Sequence, residues 1–273
     1  MAIITISREL AALGDEIGHE LAELTTYRFI DKQALENRIT SFGFNSTKLE
    51  KYDEKKPAFW ASLSKDRDDY LHYLKIALYT EAEAGPCIFV GRGAHAVFKD
   101  VPGCIFIRLG APLSVRIERV KSYFRCDEKR AKQIIDQSDK DRSAFHRYFF
   151  DIDWANPNNY HMVINTGLVH PATAAEEIQH LVQLIVTPEI ENQLKAQLQS
   201  LGLGQRVIHH ILYTLGIPIH FLEALCSGAQ VVLRGVANSQ AAIEAAVSGA
   251  QQVPGVGAVE SEIQIIQEYS VMP

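Results

Sequence analysis

Cysteine is scarce in this chain and never paired in sequence: the four residues Cys87, Cys104, Cys126 and Cys226 stand far apart, with no C-x-x-C spacing. That excludes a zinc ribbon and a dithiol redox motif, and isolated thiols in so long a chain suit a reducing compartment. Long apolar runs are missing as well. None approaches the roughly 18 residues that a membrane-spanning helix needs, and the opening Met1-Ala2-Ile3-Ile4-Thr5-Ile6-Ser7 lacks the basic and extended apolar regions of a secretion signal. The expectation is a cytoplasmic protein with no transmembrane segment. Net positive charge is absent too: 27 Lys and Arg face 33 Asp and Glu, for a net charge of −6, so nucleic acid is not an expected partner. What is present is ordinary globular material. With 273 residues, 47 % of them hydrophobic, the chain can bury a core without disulfide or metal and has room for about two domains.

The charge is segregated. Between Arg108 and Arg147 there are eleven Lys or Arg against six Asp or Glu, a local +5 that leaves −11 for the remainder. Such a stretch suits a polyphosphate ligand or a solvated helix face. Around it, short apolar runs alternate with helical periodicity. Strands are expected at Ala2–Ser7, Tyr27–Asp31, Cys87–Val90, Cys104–Leu109 and Met162–Asn165. Helices are expected at Asp15–Leu24, Asp68–Ala84, Pro112–Tyr123 and, opened by a Thr173 cap, Thr173–Val186. Lys32–Arg67 should be helical with charged loops, and Cys126–Arg147 helical but interrupted. Alternation of this kind predicts an α/β fold, a parallel sheet with helices on both faces, whose ligands bind at the carboxyl ends of the strands. Arg8, Asp31 and Arg92 all fall at or just past such ends.

The first strand-turn-helix has the layout of a phosphate loop. Laid over G-x-x-x-x-G-K-S/T, however, it places Arg8 and Leu13 at the two glycines, Gly14 at the lysine and Asp15 at the hydroxyl. The helix N-terminus still offers free amides and a positive dipole end. Arg8 is placed to supply the cation that the lysine would have brought, whereas Asp15 and Glu16 oppose an anion unless one of them meets magnesium. A plain βα turn capped by Asp15 is the competing reading.

Ile4-Thr5-Ile6-Ser7-Arg8-Glu9, Asp15-Glu16-Ile17-Gly18 and Tyr27-Arg28-Phe29-Ile30-Asp31 resemble the opening of the cytidylate kinase-like family of P-loop nucleotide kinases. Val90-Gly91-Arg92-Gly93, Ile105-Phe106-Ile107-Arg108-Leu109, Arg116-Ile117-Glu118-Arg119, Asp139-Lys140-Asp141-Arg142, Asp151-Ile152-Asp153-Trp154 and Asn165-Thr166-Gly167 follow in the family's order. The resemblance covers residues 1–186. It implies ATP as donor, magnesium bridging its phosphates, and a nucleoside monophosphate or similar small molecule as acceptor. It also implies a cofactor site of Ser7, Arg8, Leu13, Gly14, Asp15 and Glu16, with an acceptor site of Asp31, Gly91 and Arg92. Arg8, Arg142 and Arg147 are the implied catalytic arginines, with Arg119 a further lid candidate. Two departures from the family matter. Ala11-Ala12-Leu13 replaces a Gly-Ser-Gly-like run, which sets a leucine side chain where phosphate would approach the backbone. Gly93 replaces an aspartate beside Arg92, which weakens readout of cytosine. The alternative function is therefore a nucleotide-binding protein that turns over weakly or not at all.

Beyond Thr187-Pro188 the composition changes: residues 187–273 hold three basic groups and seven acidic ones. A helix is expected over Glu189–Leu215, broken near Gly202 and Gly204, then strands Ile219–Leu225 and Gln230–Ala237, a helix Gln240–Gln251 and a strand Ala258–Ile266. This is a small α-β-β-α-β module over 205–270, behind a helical connector at 187–204. Val231-Val232-Leu233-Arg234-Gly235-Val236, Ala245-Ala246 and Val253-Pro254-Gly255-Val256-Gly257-Ala258-Val259 resemble a BON domain over 205–268. With its acidic balance the module should attract anionic lipid poorly, and self-association or a regulatory partner is its expected role.

Overall fold

The computed structural model of the chain describes residues 1–49 and 64–266. They fall into two compact units, Met1–Leu194 and Lys195–Pro273. The first unit is built on strands β1 (Ile3–Arg8), β2 (Arg28–Ile30), β3 (Cys87–Val90), β4 (Cys104–Gly110) and β5 (Met162–Asn165). All neighbours pair in parallel, in the order β2-β3-β1-β4-β5. The chain leaving β1 travels toward the β2 edge, and the chain leaving β4 travels toward β5. The crevice outside their carboxyl ends is therefore the switch point where such sheets take ligands.

Both faces of the sheet are covered, which is why the strands are apolar throughout rather than alternating. On one face Ile4, Ile6, Ile88, Ile105 and Ile107 pack under α1 (Gly14–Thr25) and α8 (Pro171–Ile185), through Ile17, Leu21, Ala174, Ile178 and Val182. Gly18 keeps that approach close, since a Cβ there would lie 2.4 Å from the Phe29 ring. On the other face Phe89 stacks on Phe98 at 5.7 Å, and Tyr79 of α4 (Ser64–Glu83) meets Phe98 at 5.8 Å. The short helices α2 (Lys32–Ser41), α3 (Ser46–Leu49) and α5 (Ala94–Val97) connect these layers, and α6 (Leu113–Phe124) and α7 (Glu128–Phe150) form a helical hairpin.

Three boundaries differ from those expected. The helix α7 is uninterrupted: Asp127 caps it by accepting from Arg130 N at 2.7 Å. Its buried stripe runs through Ala131, Ile135, Ser138, Arg142, Phe145 and Phe149, so polar residues occupy inward positions and hide the periodicity. The helix α8 opens at Pro171 behind His170, and Thr173 does not cap it. The helix α9 (Pro188–His209) continues through Gly202 and Gly204, then widens into a π-helical turn at His210–Thr214. Gly204 serves packing here, because a Cβ would come within 2.4 Å of Ala224 O. The part of the expected Lys32–Arg67 helical stretch that spans 50–63 lies outside the described residues.

In the second unit β6 (His220–Ser227) pairs antiparallel with β7 (Gln230–Ala237), which pairs in parallel with β8 (Ala258–Ile265). Val207 and Ile211, with Ala246 of α10 (Gln240–Gln251), close over Val231 and Leu233. Among the described residues no helix is long and apolar enough to cross a membrane.

Two stability predictions follow from buried polar groups. Thr5 is 2 % exposed between Phe89 and Phe106, and its hydroxyl has no hydrogen-bond partner among the described residues. Thr5→Val should raise unfolding stability by about 1 kcal/mol, and a urea midpoint that falls would contradict it. Glu81 takes Arg28 Nη1 at 2.8 Å and Arg38 Nε at 2.6 Å, joining α4 to β2 and α2. Burial pushes its pKa up, but the bonds from Arg38 and Arg28 outweigh it and hold the carboxyl below its ordinary value. Both arginine side chains are about 40 % exposed, so Glu81→Gln should cost on the order of 1 kcal/mol rather than the 3–5 of a fully buried pair. That difference should be complete above the unfolded pKa of about 4.3 and shrink as pH falls through the lower folded value. A wild-type-minus-variant stability gap that stays constant from neutral to acid pH would refute the assignment.

Candidate active site

β1 ends at Arg8, and Glu9 N extends its pairing by one bond to Leu109 O at 3.0 Å. The chain then turns through Leu10–Leu13 into α1. Ala11 (φ 61°) and Leu13 (φ 58°) both adopt the left-handed conformation that glycine usually supplies. Because of that twist the Leu13 side chain turns inward and packs on the sheet-side core, beside buried Ala12. It remains half-exposed. Leu10 and Ala11 lean the other way, onto Ile117, Val120, Ala131 and Ile135 of the α6–α7 hairpin. With the side chains spoken for on both sides, the amides of Leu13, Gly14, Asp15 and Glu16 make no hydrogen bond among the described residues. They stand at the positive end of the α1 dipole.

Asp15 does not cap this helix; Leu13 holds the cap position and Asp15 stands in the first turn. Gly14 lies beneath the Arg8 stem, where a Cβ would come within 2.8 Å of Arg8 Cγ. Arg8 thus occupies the space over the residue that stands at the lysine position, and the two features are one steric arrangement. Glu16 accepts the Tyr123 hydroxyl at 2.7 Å, a bond that raises the tyrosine's pKa.

The α6–α7 hairpin grips the loop from outside. Arg116 Nη1 donates to Leu10 O at 3.4 Å and to Asp139 Oδ2 at 2.6 Å, while Leu10 N donates to Asp139 Oδ1 at 3.2 Å. Arg119 donates to Ala11 O at 2.9 Å, Thr166 O at 2.7 Å and Thr166 Oγ1 at 3.1 Å. All of those acceptors are neutral, so its charge is not cancelled by a carboxylate. Arg142 is 3 % exposed, donates to Ser138 Oγ at 2.6 Å and lies 3.9 Å from Asp139. Arg147, in contrast, is exposed at the end of α7.

Ser7, expected to face a nucleotide, is instead buried in a closed network. Its hydroxyl receives Trp154 Nε1 at 2.6 Å and lies 3.2 Å from the Tyr160 hydroxyl, which donates to Trp154 O at 2.9 Å. Arg108 stacks over the Trp154 ring at 4.1 Å. Both acceptor-side residues turn toward α2. Asp31 caps it by accepting from Ala34 N at 2.7 Å, and buried Arg92 pairs with Glu36. Gly91, Arg92 and Gly93 are consecutive left-handed residues, and a Cβ on Gly93 would lie 2.3 Å from the Phe150 ring. Sequence reasoning missed Arg116, Glu36 and the Asp139–Leu10 bond. The i, i+3 spacing of Arg116 and Arg119 was the one local signal for the first of these. Among the described residues no three metal-ligating side chains cluster.

The loop's two non-glycine twists are separable by substitution. Ala11→Gly should change stability by less than about 0.5 kcal/mol, relief of strain offsetting added freedom in the unfolded chain. Leu13→Gly also removes core packing and should cost about 1 kcal/mol more than Ala11→Gly. Equal denaturation midpoints for the two variants would place the Leu13 side chain outside the core.

Comparisons with known proteins fit this arrangement. No curated protein matches the chain. A crystal structure of an uncharacterized protein from Eubacterium ventriosum is 22 % identical, with 67 % of this chain and 99 % of that chain covered and a TM-score of 0.53. Shikimate kinase from Acinetobacter baumannii is 15 % identical over 67 % of this chain and 94 % of that one, with a TM-score of 0.39. At such identities the likeness is one of fold. The model of the cytidylate kinase-like family matches residues 3–168 and that of the BON domain residues 202–267. Since the first match takes in the whole parallel sheet and the loop between β1 and α1, the chain belongs to the cytidylate kinase-like family and carries a BON domain behind it.

Proposed function

We propose that the Met1–Leu194 unit transfers a phosphoryl group from ATP to a nucleoside monophosphate or a similar small acceptor. The family makes a kinase of nucleotides or small molecules the general expectation; donor, acceptor and residue roles are the proposal. It rests on one observation above all: four unbonded amides at the start of α1, with Arg8 lying over Gly14 and Arg119 holding the loop through neutral oxygens. Anions bind such helix ends without a lysine when guanidinium groups are close.

The residues present fit a magnesium nucleotide. When bound, ATP would supply the phosphoryl group and magnesium would offset phosphate charge; magnesium asks for only one or two protein carboxylates, and Asp15 or Glu16 of the first turn would hold it. The amides of Leu13 to Glu16 would hold phosphate oxygens, and Arg8 and Arg119 would offset their charge. Arg142 braces Asp139 and thereby the loop, while exposed Arg147 is free to approach the transferring group. Asp31, Gly91 and Arg92 line the acceptor side, Arg92 being oriented by Glu36. Phosphoryl transfer asks of the protein mainly alignment and charge.

In assays with ATP, magnesium and a panel of nucleoside monophosphates, the wild-type chain should form product. Arg119→Ala should lower kcat/KM by about 10²–10³. No product above an Arg8→Ala/Arg119→Ala double variant would overturn the enzyme reading. A second reading, nucleotide binding without turnover that signals through the BON domain, is favoured by the missing lysine at Gly14. It expects calorimetric ATP binding with no product.

A further inference from the structure

Away from the loop between β1 and α1, the first unit contains a cavity of about 290 Å³ on the α5 side of the sheet. Its walls are aromatic. Phe106 of β4 meets His161 at 5.0 Å, ring tilted on ring, and His95 of α5 meets Tyr160 at 5.2 Å. Lys99, Ile152, Asn158 and Asn159 complete the lining. Phe106 and His95 are buried, whereas Lys99 and His161 are exposed, so the cavity has an apolar floor and a polar mouth.

Two details give that mouth a definite chemistry. Lys99 makes no ion pair among the described residues, so its ammonium charge is available to a ligand. The His161 ring is fixed: its Nδ1 accepts Phe106 N at 3.0 Å, and its own backbone N donates to Phe106 O at 2.8 Å. A backbone N–H only donates, so Nδ1 carries no proton and Nε2 carries it, as a neutral donor. Partial burial lowers the imidazole's pKa, which favours the neutral ring. The Asn159 amide is already oriented by its bond to Asp153 O at 2.8 Å.

We propose that this cavity is a second ligand site, for a single planar aromatic ring bearing a carboxylate or phosphate, with the ring between the aromatic walls and the anion on Lys99. The volume sits at the small end of ligand pockets, roughly 300–1,000 Å³. That leaves space for one ring with its acid group and not for a nucleoside triphosphate. Flat rings are the shape that facing aromatic side chains accept at least cost. The single unpaired cation selects a monoanion or a phosphate monoester over a neutral ring. The Tyr160 ring forms part of the wall while its hydroxyl bonds Ser7, next to Arg8. An occupant therefore touches the network at the end of β1 without entering the phosphate loop.

The test is calorimetric titration of the full chain with pyridine-3-carboxylate, with its neutral amide pyridine-3-carboxamide, and with CMP. The carboxylate should bind, and both the amide probe and the Lys99→Gln variant should show about tenfold weaker affinity, one charge-assisted bond's share. Arg8→Gln and saturating inorganic tripolyphosphate should leave that binding unchanged, which separates this site from the phosphate loop. CMP shows which acid is preferred: a component of its binding lost in Lys99→Gln marks a phosphate monoester, and binding untouched by Lys99→Gln marks an aromatic carboxylate as the class. No heat with the carboxylate and no Lys99→Gln-sensitive component in CMP binding up to about 10 mM, carboxylate affinity unaltered by Lys99→Gln, or displacement of the carboxylate by tripolyphosphate would overturn the proposal.

Discussion

The bond from Leu10 N to Asp139, backed by Arg116 on both, is the contact on which the rest of the first unit's site depends. A loop without glycine does not rest in left-handed backbone of its own accord; each such residue costs roughly 1–2 kcal/mol. Here the cost is offset from outside. Leu10 and Ala11 bury their side chains on the α6–α7 hairpin, and Ala12 and Leu13 bury theirs on the sheet core. Guanidinium groups of α6 hold the loop's carbonyls, and a carboxylate of α7 holds one of its amides. The α1 amides face outward as a result. The hairpin is thus part of the loop's architecture and not merely a cover for it.

Charge bookkeeping sharpens the point. Four arginines deep in the unit each face an acid: Arg108 and Arg116 face Glu9, Arg116 and Arg142 face Asp139, and Arg92 faces Glu36. Burying so many cations is tolerable only because these acids accompany them. Three of the eleven basic residues along Arg108–Arg147 are thus committed inside the protein, while Arg125, Lys129, Arg130, Lys132, Lys140 and Arg147 are exposed. Arg119 lies between these groups, bound to backbone and hydroxyl oxygens beside the loop.

Much of the fold was legible because parallel strands buried on both faces announce themselves as apolar runs, as Ile3–Ile6 and Cys87–Val90 do. The two-part division was legible from composition. Less legible was anything set by backbone handedness. Leu13 in the sequence gives no sign of its positive φ, which lets its half-buried side chain pack on the sheet-side core. Polar residues at inward positions misled in the same way. Ser138 and Arg142 break the apolar stripe of α7 in sequence but bond each other in the structure, so the helix is continuous. Ser7 sits where a nucleotide-facing hydroxyl would be sought, but its partner Trp154 lies 147 residues away and no local pattern connects them.

The exchange of an aspartate for Gly93 has the same character. Beside Arg92 the family's carboxylate would read a base, and its absence looks like simple loss. The Phe150 ring, however, lies where a Cβ would project, so the glycine is what allows the end of α7 to pack against this turn. Glu36, from α2, then supplies the acid that Arg92 meets. The turn after β3 thus has an arginine–acid pair whose carboxylate comes from a helix, beside an aromatic ring. Its shape depends on Phe150 and its charge balance on Glu36. A family pattern read position by position along the sequence assigns neither residue that role.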